Sequence, residues 1–481
     1  MNHPVKTIIA LCITALMLNG CITLTPGPRQ DDPIAMPHGF SLYTDTDPGP
    51  GTWWHSFSSP ELDSLVQQAL AGNFDIRTAL SKVRQAEAAA RKAGADLSPT
   101  IDYSGSAQTS REQTKTDAKG RSSEDAKEFS AGLSAGYEVD LWGRLNALHK
   151  AEITEYQATK EDLDAAAVTV SADVATAWID ILSLRRQINI LNQQIETNQR
   201  MLSLQELRFE NGQSDALDVS QQRDVLAQAK ALMPPLQLGE ARQLNALAVL
   251  LGLAGKGDAI AGRISQSDLP DLIPLPQTGL PADLLASRPD VRAAGLRLNE
   301  KDWQVCAAKA DRLPALDLSA SAIFSSASLD LLFSNWVSTL AASITGPVFD
   351  AGYRSAEVDR AKAEADQYLT AYARTVAQAV QEVEDSLATE RRQTEYIRLL
   401  KEQLATLRIT VNDAHLQYMN GQDNYLDYLS AWINVQALER QLVDEQATLI
   451  KNRVTLYRTL GGDWTRGLSQ ADTTETPSKN S

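Results

Sequence analysis

The sequence predicts a protein that is mainly α with a β-barrel portion, built from long antiparallel coiled-coil helices and four strands per chain. Apolar residues recur at alternating four- and three-residue spacings through long proline-free stretches, which is typical of a coiled-coil seam. Four shorter segments alternate apolar and polar residues, as the wall of a sheet with two different faces requires. Both features occur twice in the same order.

The first twenty residues are predicted to be a targeting segment. Lys6 precedes an apolar run over 7–18, which is too short to cross a bilayer as a helix. The run ends in Leu18-Asn19-Gly20-Cys21, which resembles a bacterial lipoprotein box. We therefore predict that Cys21 is acylated and becomes the mature N-terminus, with cleavage by the ordinary signal peptidase as the alternative. Ile22, where an aspartate would favour inner-membrane retention, indicates the outer membrane.

Charge and cysteine content exclude several functions. The chain of 481 residues carries a formal net charge of −16, which argues against nucleic acid as a partner. Of the three cysteines, Cys12 lies in the leader, and no CxxC, HExxH or histidine cluster is present. Cys306 lies in an alanine-rich helical run, where a small packing role is expected. We expect no metal and no cofactor apart from the covalent lipid on Cys21.

The long helices are predicted from the spacing of their apolar residues. Apolar positions over Val170–Ile195 alternate four and three, and the pattern returns over Val376–Ala414. The stretch Asn146–Asn211 contains no proline, so a single helix there would be roughly 100 Å long. Gly212 and Gly421 are predicted to end the two long helices, because glycine accepts the left-handed cap conformation. Each long helix is then followed by an antiparallel return helix, and the first return is predicted to break at Pro234-Pro235.

The strands are predicted at about 99–109, 128–140, 314–326 and 335–346. No later segment has the eighteen or more apolar residues of a transmembrane helix, so a membrane crossing would need a closed barrel. A half-buried soluble sheet would show the same alternation. On the barrel interpretation, the polar run Thr109–Asp125 is an external loop. The residues expected to face lipid are Tyr103, Phe129, Leu133, Tyr137, Leu318, Phe324 and Trp336.

An internal duplication favours the barrel interpretation. Residues 99–104 correspond to 314–319, and residues 211–218 correspond to 420–427. The predicted organisation is a signal peptide (1–20), a lipidated segment (21–60), a first repeat (61–270, helical hairpin 144–253), a second repeat (271–464, helical hairpin 352–460) and a C-terminal tail (465–481).

Four strands are too few to close a barrel, for which about eight are needed. Two copies would give a barrel filled by its own side chains, whereas three copies would give twelve strands and a lumen. A homotrimer is therefore predicted if the protein is a conduit.

Four motifs occur in order along the chain, Tyr137–Arg144, Leu280–Val291, Gly346–Gly352 and Leu460–Trp464. Taken together, they resemble the TolC-like outer-membrane efflux family, in particular its lipoprotein branch serving resistance-nodulation-division pumps. The resemblance covers nearly the whole mature chain. One departure is Gly295, where the family commonly has a glutamate.

The resemblance implies a trimeric 12-stranded barrel in outer-membrane lipid and a 12-helix periplasmic tunnel. It also implies a periplasmic adaptor and an inner-membrane resistance-nodulation-division pump as partners. The chain would then be a passive exit duct for drugs or other toxic small molecules and not an enzyme. His415, on a helix near the second tip, is expected to be solvated or to pack between helices.

The resemblance also places the working residues at the helical tips. Met419 and Asp423 match the apolar and acidic rings that constrict the resting pore, and spacing alone would put them one helical turn apart on one side. Asp423 could instead cap the helix that follows Gly421, and both roles could coexist. The residues expected to contact the adaptor are Asn211, Gly212, Leu217, Asn420, Gly421 and Leu426.

Other classes remain open at this point. A lipid-anchored periplasmic adaptor or a structural coiled-coil lipoprotein would also carry long helices, but an adaptor typically has one hairpin in a β-rich module. A lipid-anchored enzyme or solute-binding protein would need an α/β pattern with a ligand cleft, which the heptads do not provide. Substrate selection in such a system occurs in the pump, so the duct sequence does not specify the substrate.

Overall fold

The computed structural model describes residues 24–27, 36–37, 39–40, 52–116, 120–254, 257–265, 268–276 and 281–461. The predicted leader, Cys21 and the predicted tail lie outside the described residues. The described chain is mainly helical with one antiparallel four-stranded sheet, which confirms the predicted fold class. The strands are β1 (Thr100–Thr116), β2 (Gly120–Val139), β3 (Ala315–Ser326) and β4 (Trp336–Thr345). The α-helices are α1 (Pro60–Gly72), α2 (Phe74–Ala95), α3 (Arg144–Glu210), α4 (Ala216–Ala231), α5 (Met233–Leu250), α6 (Gly257–Ala261), α7 (Leu284–Ser287), α8 (Pro289–Ala310), α9 (Tyr353–Met419) and α10 (Tyr425–Thr459).

The chain divides into two compact units, neither of which coincides with a sequence repeat. The first comprises residues 82–159 and 293–373 with the described part of 1–33. The second comprises 160–292 with the described parts of 34–81 and 374–481. The sheet belongs to the first unit. Both helical tips belong to the second.

Each long helix begins just after an aspartate whose carboxylate satisfies backbone N–H groups of the first turn. Asp140 accepts hydrogen bonds from the N–H groups of Leu145 and Asn146 at 3.1 and 2.8 Å. Asp350 accepts one from the N–H of Arg354 at 3.2 Å. These N–H groups have no partner inside the helix, and a negative charge is favourable at that end of the helix dipole. The two halves of the chain therefore start their long helices by the same device.

Glycine ends both long helices, as the sequence predicts. Gly212 has φ +70°. Its N–H donates to the carbonyl of Phe209 at 2.9 Å, and the next N–H, of Gln213, donates to Arg208 at 2.8 Å. This pair of bonds is the Schellman motif. The same pair closes α9 around Gly421, whose φ is +68°.

The first return arm breaks where the prolines predict. Helix α4 ends at Ala231 and α5 begins at Met233, so that Pro234 lies in the first turn of α5, where its missing N–H costs nothing. The second return helix, α10, is continuous over 35 residues.

The core of the second unit is a cluster of aromatic and aliphatic residues. Trp53, Trp54 and Phe57 pack with α1, with the middle of α3 and with the end of α10. Trp178 of α3 is fully buried there, and its indole N–H donates to Glu61 at 2.9 Å. Among the described helices, α3 alone contains a window long and apolar enough to cross a membrane, but 67 % of that window is buried inside the chain. Its hydropathy is that of a core helix.

The strands lie in the order β1-β2-β3-β4, and each neighbouring pair is antiparallel. One sequence prediction about the sheet is wrong: within the predicted loop Thr109–Asp125, residues 109–116 and 120–125 belong to strands β1 and β2. The ladder continues past the apolar residues to the pair Thr116 and Gly120, and Arg111 donates two hydrogen bonds to Asp125 across the ladder, at 2.6 and 2.8 Å. Apolar alternation had defined the predicted strands, whereas polar residues make the same backbone ladder and add cross-strand ion pairs.

Candidate channel wall and helical tips

The strand register divides the sheet into an apolar face and a polar face. Residues opposite each other on paired strands share a face, and successive residues alternate between faces. All seven residues predicted to face lipid share the apolar face. The apolar face consists of Ile101, Tyr103, Gly105, Ala107, Phe129, Ala131, Leu133, Ala135, Tyr137, Val139, Leu316, Leu318, Ala320, Ala322, Phe324, Trp336, Ser338, Leu340, Ala342 and Ile344.

The polar face carries mostly hydroxyl and carboxylate side chains. Its apolar exceptions are the paired Ile323 and Val337, and Ala341. The face consists of Asp102, Ser104, Ser106, Gln108, Ser130, Gly132, Ser134, Gly136, Glu138, Asp317, Ser319, Ser321, Ile323, Ser325, Val337, Thr339, Ala341, Ser343 and Thr345.

No described part of the chain covers the outer strands of the apolar face. Tyr103 is 88 % exposed, Leu340 85 % and Ile344 74 %. Along β2 the apolar residues run from Phe129 to Val139, ten steps of about 3.3 Å, which gives a band about 25 Å tall for strands tilted near 40°. An outer-membrane barrel presents an apolar band of about this height to lipid. A soluble half-buried sheet would instead bury this face.

Both outer edges of the sheet are unpaired within the described part of the chain. β1 pairs only with β2, and β4 pairs only with β3. All ten residues of β4 are exposed. An open apolar edge of this length would aggregate unless another strand paired with it.

The first helical tip, the turn between α3 and α4, is polar and exposed. Asn211 and Gly212 are exposed, and Leu217 at the start of α4 is 63 % exposed. The hydroxyl of Ser214 donates to the carboxylate of Asp218 at 3.1 Å.

The second tip, between α9 and α10, carries two carboxylates in the corresponding places. Asp423 replaces Ser214, and Asp427 corresponds to Asp218. The neighbouring carboxyl of Asp423 raises the pKa of Asp427 by hydrogen bonding and charge repulsion. Asn420, Gly421 and Leu426 are exposed. The first tip also carries two carboxylates, Asp215 and Asp218, so the tips differ in the position of one aspartate and not in their number.

Two sequence predictions about Asp423 are corrected. It does not lie on the same helix as Met419, because α9 ends at Met419 and Asp423 lies in the turn beyond Gly421. It is also not the cap of α10, because the side chain of Asn424 caps that helix and accepts from the N–H of Asp427 at 3.1 Å. Helical spacing was applied across a glycine that ends the helix. Met419 is 55 % exposed and Asp423 half-buried.

Contacts that sequence reasoning missed join the two tips. Arg208 of α3 donates to the sulfur of Met419 at 3.3 Å and lies over the ring of Tyr418 with its guanidinium carbon 4.8 Å from the centroid. The hydroxyl of Tyr425, a fully buried residue, donates to Gln222 of α4 at 2.6 Å. The aromatic residues beside Gly421 were the sequence signal for this contact.

A buried amide network holds the hairpins in register above the tips. Asn198 is fully buried and exchanges side-chain hydrogen bonds with Gln436 of α10 at 3.2 Å in both directions. Gln222 donates to the backbone carbonyl of Asn198 at 3.0 Å, and the indole N–H of Trp432 donates to the side-chain oxygen of Asn198 at 2.9 Å. Buried polar residues within a coiled-coil seam fix its register. Amides at seam positions were the signal that could have identified them.

Cys306 and His415, two potentially reactive side chains, both pack against neighbouring residues. Cys306 is buried against Ala147 and Ala307, which confirms its packing role, and burial raises the pKa of its thiol. The ring of His415 packs against that of Tyr428 with centroids 5.2 Å apart. The described residues contain no group of three or more His, Cys, Asp or Glu that could hold a metal ion.

An open sheet with one apolar and one polar face, in a chain with two pairs of long helices, defines the class of outer-membrane channel proteins. The comparison with protein families agrees. The family model for the outer membrane efflux protein matches residues 65–253 and 280–462, and the chain belongs to this family. The predicted resemblance and the predicted outer-membrane location are confirmed, and neither an adaptor nor a structural lipoprotein is supported.

Relatives in sequence are full-length matches. The chain is 31 % identical over 479 residues to the pyoverdine export outer membrane protein OpmQ of Pseudomonas aeruginosa, covering 96 % of this chain and 98 % of OpmQ. It is 30 % identical over 465 residues to the cation efflux system protein CusC of Escherichia coli, covering 95 % and 98 %.

Solved structures share the fold. A crystal structure of CusC, from work on its folding and transmembrane channel formation, matches with a TM-score of 0.82 at 28 % identity over 92 % of this chain and all of that one. The outer-membrane channel OprN matches with a TM-score of 0.82 at 26 % identity, covering 92 % and 99 %. This chain is therefore an outer-membrane efflux channel component.

Proposed function

We propose that three copies of this chain form a passive exit duct of a tripartite efflux pump, joined to a periplasmic adaptor and an inner-membrane resistance-nodulation-division pump. The observation that carries the proposal is the uncovered apolar face of a sheet whose two edges are both open. Three such sheets supply twelve strands, enough for a barrel with a lumen. The pump supplies the energy, so the duct itself needs neither a cofactor nor a catalytic group.

The second tip is proposed to be the gate. In a trimer, Asp423 and Asp427 would contribute three pairs of carboxylates around the axis, with Met419 beside them. A carboxylate ring of this kind favours cations and constricts a pore. The contact of Arg208 with Met419 and Tyr418 ties this tip to the first one and would hold it closed.

Conductance of reconstituted trimers tests the gate. Asp423→Ala, alone and with Met419→Ala, should increase single-channel conductance and reduce cation preference. The control is Ser214→Ala, the corresponding position of the first tip, which should leave both unchanged. If Asp423→Ala lowers thermal stability while conductance stays at the parental value, Asp423 has only a structural role in the turn.

The exposed residues around both turns are proposed to contact the adaptor. Leu217 and Leu426 are the apolar members of this surface, and the backbone at Gly212 and Gly421 is open around them. Leu217→Asp with Leu426→Asp should abolish co-purification of the adaptor and the drug tolerance of the host. Trimer content and conductance should not change, and methionine at the same two positions should retain adaptor binding. Full adaptor binding by the aspartate variant would exclude this surface.

Cys21 is proposed to carry the lipid anchor. More than one acyl chain on a single residue gives stable attachment, which a single chain does not. The barrel would also hold the protein in the membrane, so anchoring and channel function are separable.

A further inference from the structure

The two open edges of the sheet, β1 and β4, restrict the residue register in which neighbouring copies can pair. This inference rests on the proposed trimer and adds the residue register of its interface. The strands alternate in direction, so β4 of one copy would pair antiparallel with β1 of the next. The Cα pairs Thr100–Gly136, Gly136–Ser319 and Ser319–Ala341 form one row across the sheet, perpendicular to the strands.

Symmetry and side-chain alternation restrict where this row continues. The row passes from Ala341 to a residue of β1 in the next copy, displaced from Thr100 by some number of residues. Ala341 is on the polar face, so its partner must be an even-numbered residue of β1, and the displacement is even. Three identical steps close the barrel, so the total shear is a multiple of six.

Barrel geometry then leaves two displacements. For twelve strands with about 3.3 Å per residue and about 4.8 Å between strands, shears of 12 and 18 give tilts of about 35° and 46°. Shears of 6 and 24 give about 19° and 54°, outside the usual range of about 35–45°. The displacement is therefore four or six residues. A displacement of the opposite sign would pair Ala341 with residues before Thr100, which are not in a strand.

The positions of the aromatic residues support the same sign independently. Phe129, Phe324 and Trp336 are the aromatic residues near the outer end of the apolar face. If the strands ran parallel to the barrel axis, the positions of these three residues along the axis would spread over roughly 7 Å. If the strands tilted in the opposite sense, the spread would be larger. With a displacement of four or six residues they fall within about 4 Å of one height. Membrane barrels carry such a girdle at the interface with water.

We infer that β4 of each copy pairs with β1 of the next, with Ile344 opposite either Ile101 or Tyr103. This register makes the apolar and polar faces continuous around the barrel. It also brings the turn after β4 alongside the residues that precede β1 in the next copy. Val348 and Phe349 in that turn are 103 % and 88 % exposed, while Asp350 beside them is held by hydrogen bonds from Gly352 and Arg354. A rigid turn with exposed apolar side chains fits a contact between copies.

Disulfide trapping on the polar face tests the register. Ser343→Cys lies opposite residue 102 for a displacement of four and opposite residue 104 for six. Directly opposite Cα atoms are about 4.5–5.5 Å apart, within disulfide range, whereas a two-residue shift exceeds it. Within one copy, β1 and β4 are three strand spacings apart, about 14 Å, so a bond can form only between copies.

The expected result is a covalent dimer and trimer, reversed by reductant, when Ser343→Cys is combined with either Asp102→Cys or Ser104→Cys. The control pairs are Ser343→Cys with Ser106→Cys and Ser343→Cys with Tyr103→Cys. Each single cysteine variant is a further control, because it shows any linkage that involves the native Cys306. Strongest linkage in a control pair, or no linkage in a protein whose native mass is three chains, would overturn the register and leave the trimer standing. A native mass of one chain would overturn both.

Discussion

Arginine on the apolar face should prevent assembly of the barrel. Leu133 lies four residues from Phe129 and six from Val139 on β2, which places it near the middle of the apolar band, about 10 Å from one limit and about 15 Å from the other. Arginine at the midplane of a membrane barrel costs about 2–4 kcal/mol. Three copies share one barrel, so Leu133→Arg should cost about 6–12 kcal/mol per assembled trimer.

The control for this change is the next residue along the same strand. Ser134 lies on the polar face at almost the same height along the barrel axis. The arginine of Ser134→Arg would therefore face the aqueous lumen, where its charge stays hydrated. The assay is the fraction of heat-modifiable trimer in outer membranes at matched expression. We expect almost no trimer for Leu133→Arg and near-parental amounts for Ser134→Arg. Equal losses in the two variants would refute the assignment of the faces.

Three further predictions concern other parts of the chain. Cys21→Ala should abolish palmitate labelling, and equal labelling of variant and parent would exclude Cys21 as the acylation site. Burial raises the pKa of Asp164 from 3.8 to about 7, so the folded state retains a proton that the unfolded state releases over this range. The contribution of Asp164 to stability should therefore be fully present below about pH 4 and be lost as pH rises to about 7. In thermal unfolding of the detergent-extracted trimer, the gain in stability of Asp164→Asn over the parent should grow across that range. Glu390 and Arg453 form a buried ion pair, so Glu390→Gln should lower the free energy of unfolding by about 3–5 kcal/mol in denaturant unfolding. Replacing both partners, as Glu390→Leu with Arg453→Met, should restore most of that loss. A double variant no more stable than the single one would contradict this account of the pair.

The helices and the faces of the sheet were predictable because they depend on short-range patterns. The four-three seam of Val170–Ile195 and the cap at Gly212 each require only local residues. The same local reasoning failed at Thr109–Asp125, because a backbone ladder does not need apolar residues. It also failed at Asp423, because Gly421 ends the helix on which the spacing was counted.

The contacts between the two halves were not predictable in this way. The bond between Asn198 and Gln436 joins residues 238 positions apart, and the contact of Arg208 with Met419 joins residues 211 apart. A single sequence gives the polarity of such residues but not their partners. The amides at seam positions of α3 and α10 indicate that some buried polar network exists, while its composition depends on how the hairpins pack.

The most direct test of the central claim is the conductance of the purified full-length protein in a planar lipid bilayer. The account predicts discrete unitary steps of uniform size with a preference for cations, and larger steps for Asp423→Ala. A protein that inserts as a trimer yet gives no unitary steps, in the parent and in Asp423→Ala alike, would contradict the claim that three copies enclose a continuous duct.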